Sequence, residues 1–188
     1  MIACPIRYSA IVESSWDSTW VFALNYGAAH GLKMGRDLIW TSGPLGYLTA
    51  PLDIGSNLAQ ALIFQSLVWL ALIGILFDLF YVARLPLRNL AFFGVFFALS
   101  APLYWSNYMG LENLMLAGVL ILLAMTRMRG GRVRYICALV LAGVIPLIKL
   151  SGGMIACGAI LGFLIERAVR TGGRIRNEAA LAIMIPAA

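Results

Sequence analysis

Apolar residues in this chain fall in long blocks separated by short basic stretches. The longest block, LAQALIFQSLVWLALIGILFDLFYVA from Leu58 to Ala83, carries one charge, Asp78, in 26 residues. At ~1.5 Å of rise per residue such a helix exceeds the ~30 Å hydrocarbon layer of a bilayer, so it predicts a membrane span. Further blocks cover Leu90–Trp105, Tyr108–Thr126, Tyr135–Ile148 and Gly153–Ile165, and another opens at Glu178. Several are shorter than the ~20 residues of a perpendicular span. Short or broken helices are tolerated in a membrane where protein or a water-filled cavity covers the freed backbone, which points to a bundle with an internal site.

The basic residues order these blocks. Arg84–Asn89, Arg127–Arg134 and Arg167–Asn177 hold ten of the fourteen Lys and Arg residues. The positive-inside rule puts all three connections in the cytoplasm, so an even number of crossings separates them. The turn SNYMGLEN supplies one reversal between them. A single helix over Tyr135–Ile165 would send an arginine cluster outside, so two short helices meeting near Lys149 are expected. Leu58–Ala83 then runs from outside to inside, and residues 1–57 are extracytoplasmic. Charge agrees: the outer parts hold four basic and five acidic residues, the remainder ten basic and three acidic. The expected architecture is an all-α integral membrane, polytopic helical bundle. Residues 1–57 form an outer loop with an interfacial helix, and residues 58–188 form about five spans plus a truncated sixth.

Composition narrows the classes. The chain is 62% hydrophobic and 12% charged, against roughly 45–50% and 25% in soluble domains, and its mean hydropathy is +0.90. The net charge of +6 punctuates apolar runs and forms no basic patch, so the bilayer is the expected partner and nucleic acid is not. Three cysteines with no CxxC spacing support neither a disulfide framework nor a zinc site, and His30 is the sole histidine. Residues 1–12 are too short for a signal peptide or a span, and the chain stops inside an apolar run at IMIPAA. It is therefore expected to be a piece of a longer multi-pass protein.

Candidate chemistry concentrates in the outer parts. Ser14 or Ser15 can cap a helix beginning near Trp16, and Trp16, Trp20 and Leu24 at spacing four form an apolar stripe suited to the bilayer interface. Asp17 falls in the first turn of that helix, where the macrodipole favours its ionised form. It is either a general base or metal ligand, or simply a favourable helix-start residue. Arg36 can hold a phosphate bidentately, pair locally with Asp37, or contact a lipid headgroup. Glu112 opens a helix at the outer surface and either complements the helix dipole or acts chemically. Lys149, before Ser151-Gly152-Gly153, favours a lipid phosphate or snorkels to the interface. Asp78 reads as packing or interface chemistry.

Trp16-Asp17-Ser-Thr-Trp20, followed by GRDLIWTSGPLGYL, an inward helix and arginine-punctuated short helices, resembles the C-type (GT-C) membrane glycosyltransferases. Within them, residues 13–165 look like the bacterial protein mannosyltransferase-like group that uses polyprenyl-phosphate sugars. The resemblance implies that Asp17 matches the family's essential acidic residue in the first outer loop. It likens Glu112 to an acidic residue near a later outer helix start, and Gly43-Pro44-Leu45 to the turn ahead of the second helix. It implies sugar transfer to an envelope acceptor on the outer side of a bacterial inner membrane. Asp37 or Glu112 would be a second acidic group or a ligand of a divalent metal ion, and Arg36 or Lys149 the phosphate partner. A transporter or flippase and a non-catalytic membrane scaffold remain the alternatives.

Overall fold

The structure, a computed structural model, describes residues 16–39, 41–84 and 110–170. The expected span Leu90–Trp105, the apolar segment from Glu178, the Ser14 or Ser15 cap and residues 106–109 of the outer turn lie outside them. Among the described residues the architecture is helical: α1 (Trp16–Ala29), α2 (Asn57–Ala83), α3 (Leu111–Arg129), α4 (Arg132–Ile148) and α5 (Leu150–Arg170), with a single 3₁₀ turn at Gly46–Leu48. Three of them, over Asn57–Val82, Leu111–Arg129 and Leu150–Arg170, are long and apolar enough to cross a membrane.

Helix boundaries follow local chemistry. α2 stops where Arg84 turns left-handed (φ 52°) and its N–H donates to the Phe80 carbonyl. Between α3 and α4 only Gly130 and Gly131 intervene, at φ 70° and 124°, conformations that side chains with a Cβ rarely adopt. The expectation of two short helices meeting near Lys149 holds for α4, with 17 residues, and needs correction for the helix after it. α5 extends from Leu150 to Arg170, well past the apolar block Gly153–Ile165, and α3 and α4 take up most of the expected Arg127–Arg134 loop. Arginines near a helix end keep their charge in water by extending, so the backbone ladder continues through them. The Glu166–Arg170 pair, 2.9 Å apart at i,i+4, supports that last turn.

Side-chain contacts fix the directions. α4 and α5 form an antiparallel hairpin: Gly153 lies on the Pro146 ring, and Tyr135 stacks with Phe163 at 5.8 Å between centroids. α3 runs parallel to α5, with Glu112 beside Gly152 at one end and Arg127 on Glu166 at the other. α2 runs parallel to α3, since Leu72 and Ile75 face Gly118 while Asp78 meets Arg134 at the start of α4. The described arginines of α2–α5 and their connections thus gather at one end, and Glu112 and Lys149 at the other.

The core lies between α2, α3 and α4, where Met115, Val119, Ala138 and Ile145 are fully buried. Outward faces stay apolar: Leu67, Leu70 and Phe77 of α2 and Met154, Ile155 and Leu161 of α5 are all exposed. Such belts suit a hydrocarbon solvent. α1 departs from its expected orientation, because Leu24 is buried beneath Gly46 and does not face outward. The residues that follow α1 fold back over that face. The outward side of α1 carries instead the rings of Phe22 and Tyr26, with His30 just past the helix stacked next, at 5.8 and 3.9 Å in succession.

Candidate functional site at the strapped helix break

The α4–α5 junction is a single residue. Lys149 adopts an extended conformation (φ −149°, ψ 121°), closing α4 through its N–H to the Ile145 carbonyl. A turn this tight leaves carbonyls at the end of α4 and an N–H at the start of α5 without helical partners. Residues 41–45 supply them. The N–H groups of Gly43 and Leu45 donate to the carbonyls of Ile148 and Leu147 at 2.9 and 2.7 Å, and Leu150 N–H donates to the Thr41 carbonyl at 3.1 Å. Ser42 and Lys149 face each other as an antiparallel bridge. Glycine is required at position 43, because a Cβ there would run into the carbonyl groups of Pro146 and Leu147.

Below this strap sits Glu112, in the first turn of α3 and 7% exposed. Its carboxylate folds over Gly110, where a Cβ would collide with it, and its Cγ lies 3.7 Å from where a Cβ of Gly152 would stand. The absence of a side chain at Gly110 therefore leaves room for the buried acid, while Gly152 only borders it. Lys149 Nζ donates to Glu112 Oε1 at 3.2 Å, while the lysine side chain remains 46% exposed. The ammonium thus neutralises the buried carboxylate and still presents donors to the outside.

A polar network ties residues 47–52, just beyond the strap, to the helices. Asn25 of α1 is fully buried; its Nδ2 donates to the carbonyls of Val21 and Ala50, both at 2.9 Å, and its Oδ1 accepts from Leu52 N–H at 3.0 Å. Asn57 Nδ2, at the start of α2, donates to the Asn25 carbonyl at 2.8 Å. Buried Gln65 Nε2 donates to the Leu48 carbonyl at 2.7 Å. Tyr47 donates its hydroxyl to Gln60 Oε1 at 2.6 Å, and burial pushes its phenol above the usual tyrosine range.

The sequence candidates separate accordingly. Glu112 and Lys149 come together, so Lys149 is not the lone ammonium its position implied; a carboxylate 37 residues earlier faces it. Arg36 and Asp37 pair with each other at 3.5 Å on the tip of the turn after α1, and Asp37 also accepts from Lys33 N–H at 3.0 Å. Their described contacts are local, and Arg36 is 76% exposed. Asp17 is the second residue of α1, and the described side chains begin at Thr19.

No family model, curated protein or solved structure matches the chain.

Sequence reasoning passes over Asn25, Asn57 and Gln65. The signal they offer is a side-chain amide inside an apolar stretch, as Gln65 is within Ala61–Phe77. For a divalent ion the donor set is a poor fit: no three His, Cys, Asp or Glu residues gather among the described residues, and the charge of Glu112 is already met by Lys149.

Proposed function

We propose that the chain is an integral membrane bundle whose arginine-rich end lies in the cytoplasm and whose strapped end faces the extracytoplasmic side. We further propose that the strapped end works on a polyprenyl-phosphate sugar as part of a membrane glycosyltransferase. Three apolar helices and the segregation of arginines to one end support the first statement. The observation that carries the second is the buried Glu112 carboxylate beneath the half-exposed Lys149 ammonium, held at a fixed helix break.

Such a transfer needs a base for the acceptor and a cation for the leaving group. The acceptor hydroxyl would lose its proton to a carboxylate as its oxygen bonds to the anomeric carbon. The carbon–oxygen bond to the phosphate breaks, and the electron pair leaves on the polyprenyl phosphate. Glu112, or Asp17 as the resemblance implies, is the candidate base, and Lys149 the candidate phosphate partner. The exposed apolar faces of α2 and α5 suit a polyprenyl chain as well as lipid.

The test is sugar transfer from a lipid-linked donor in membranes containing the full-length protein, comparing the parent with Asp17→Asn, Glu112→Gln and Lys149→Met. A loss of about 100-fold or more in either acid variant is expected. Undiminished transfer in both would remove these residues as bases, and solute flux without turnover would indicate a transporter.

A further inference from the structure

The arginine-rich end carries far more positive charge than its own carboxylates can neutralise. Seven described arginines lie there, against two described carboxylates, Asp78 and Glu166. Both acids are committed. Asp78 receives a two-pronged contact from Arg134, Nε to Oδ2 at 2.6 Å and Nη2 to Oδ1 at 2.8 Å. The same guanidinium donates from Nη1 to the Gly130 carbonyl at 3.1 Å, folding over the Gly130–Gly131 turn. Glu166 Oε1 is shared by Arg127 at 3.1 Å and Arg170 at 2.9 Å. Arg84, Arg129 and Arg132 are exposed, and none has a carboxylate partner among the described residues.

Their surroundings set the depth at which these charges stand. Met128 and Val133, each next to an uncommitted arginine in sequence, are 63% and 73% exposed, and Tyr81, three residues before Arg84, is 77% exposed. Exposed apolar and aromatic side chains within one turn of exposed guanidinium groups define a boundary between hydrocarbon and water. Phospholipid phosphates lie at that boundary. Among the described residues the opposite end lacks this surplus, since Lys33, Arg36 and Lys149 are balanced there by Asp37, Asp53 and Glu112.

We propose that Arg84, Arg129 and Arg132 form a docking surface for the headgroups of anionic phospholipids in the leaflet this end of the bundle meets. The proposal rests on the membrane reading above, but on no part of the transferase reading. Arg129 and Arg132 flank a two-glycine turn braced by Arg134, so they are held near each other without an internal acid to compete for them. Arg84, the residue that caps α2, adds to the surface from the helix whose Asp78 holds Arg134.

The experiment reconstitutes the full-length chain into phosphatidylcholine vesicles containing spin-labelled phosphatidylglycerol or spin-labelled phosphatidylcholine, and compares the motionally restricted fraction of each label. Phosphatidylglycerol should be preferred, and the preference should weaken in high salt and fall about fivefold for each of Arg84→Gln, Arg129→Gln and Arg132→Gln. Lys33→Gln, at the far end, should leave it unchanged; circular dichroism of each variant establishes that helix content is retained. Equal restriction of the two labels, or a preference that survives the triple variant, would overturn the proposal. Binding of inorganic phosphate to the solubilised chain without any lipid preference would also overturn it. A chain stripped from vesicles by alkaline carbonate would overturn the membrane reading and this proposal together, whereas absence of sugar transfer would leave the proposal standing.

Discussion

Lys149, the single residue between two antiparallel helices, donates from its Nζ to the buried Oε1 of Glu112 at 3.2 Å. The pair links the first turn of α3 to the tip of the α4–α5 hairpin, at the residue whose backbone pairs with Ser42 of the strap. The carboxylate is shielded on the protein side while the ammonium reaches the surface, so losing one partner is not equivalent to losing the other.

Lys149→Met should destabilise the protein by about 1–3 kcal/mol, because it leaves Glu112 buried without a partner. Adding Glu112→Gln should recover most of that loss, since the orphaned charge disappears. Thermal unfolding in detergent of the two single variants and the double variant measures the coupling. Strict additivity would show that the pair contributes nothing.

The Ser42–Lys149 bridge is of the type in which the two facing residues do not bond each other directly. In such pairs the Cα atoms are ~4.5 Å apart, within disulfide range. A Ser42→Cys/Lys149→Cys variant should therefore crosslink under mild oxidation, seen as a mobility shift reversed by reductant. Failure to crosslink would mean that the strap does not lie on the break. Gly43→Ala should loosen the strap, because its methyl group meets backbone carbonyls that cannot move aside cheaply.

Asn25→Leu should cost more stability than Asn113→Leu on the exposed side of α3. Asn25 satisfies the Leu52 N–H and bonds the Ala50 carbonyl from a fully buried position, and its loss strands those groups at roughly 1–3 kcal/mol each. Trypsin accessibility at Lys33 and Arg36, together with the melting temperature, gives the readout. Equal melting temperatures for the two variants would contradict the role of Asn25 as the tie between α1, residues 50–52 and α2.

At the other end, Asp78→Asn and Arg134→Gln should each weaken the α2–α4 contact, and the exchange Asp78→Arg/Arg134→Asp should restore part of it. The two-pronged geometry, with the side chains 31% and 23% exposed, makes this pair stronger than an open surface contact. A double-mutant cycle on unfolding measures it, and a coupling near zero would reduce the pair to a surface contact.

Several features are legible in the residues alone. Block length and arginine placement predict α2 almost to the residue, the reversal at Lys149 and the gathering of arginines at one end, because backbone polar groups must be satisfied within a helix and cations avoid hydrocarbon. Helix ends are less legible: arginines and glycines at the margins of apolar blocks are compatible with continued helix, and neighbouring helices decide whether it continues. The stripe Trp16–Trp20–Leu24 predicts an outward face, yet Leu24 is covered, since periodicity identifies a face without saying what packs on it.

By itself, the sequence determined that the chain is helical and apolar, that its basic residues punctuate the helices, and that the chain turns at Lys149. Only the tertiary structure decided that Glu112 is the partner of Lys149, that Asp78 is the partner of Arg134, and that residues 41–45 close the helix break. Each of these depends on residues far apart in sequence meeting in space. Spacing along one helix carries no information about which distant helix, or which stretch of loop, will stand opposite.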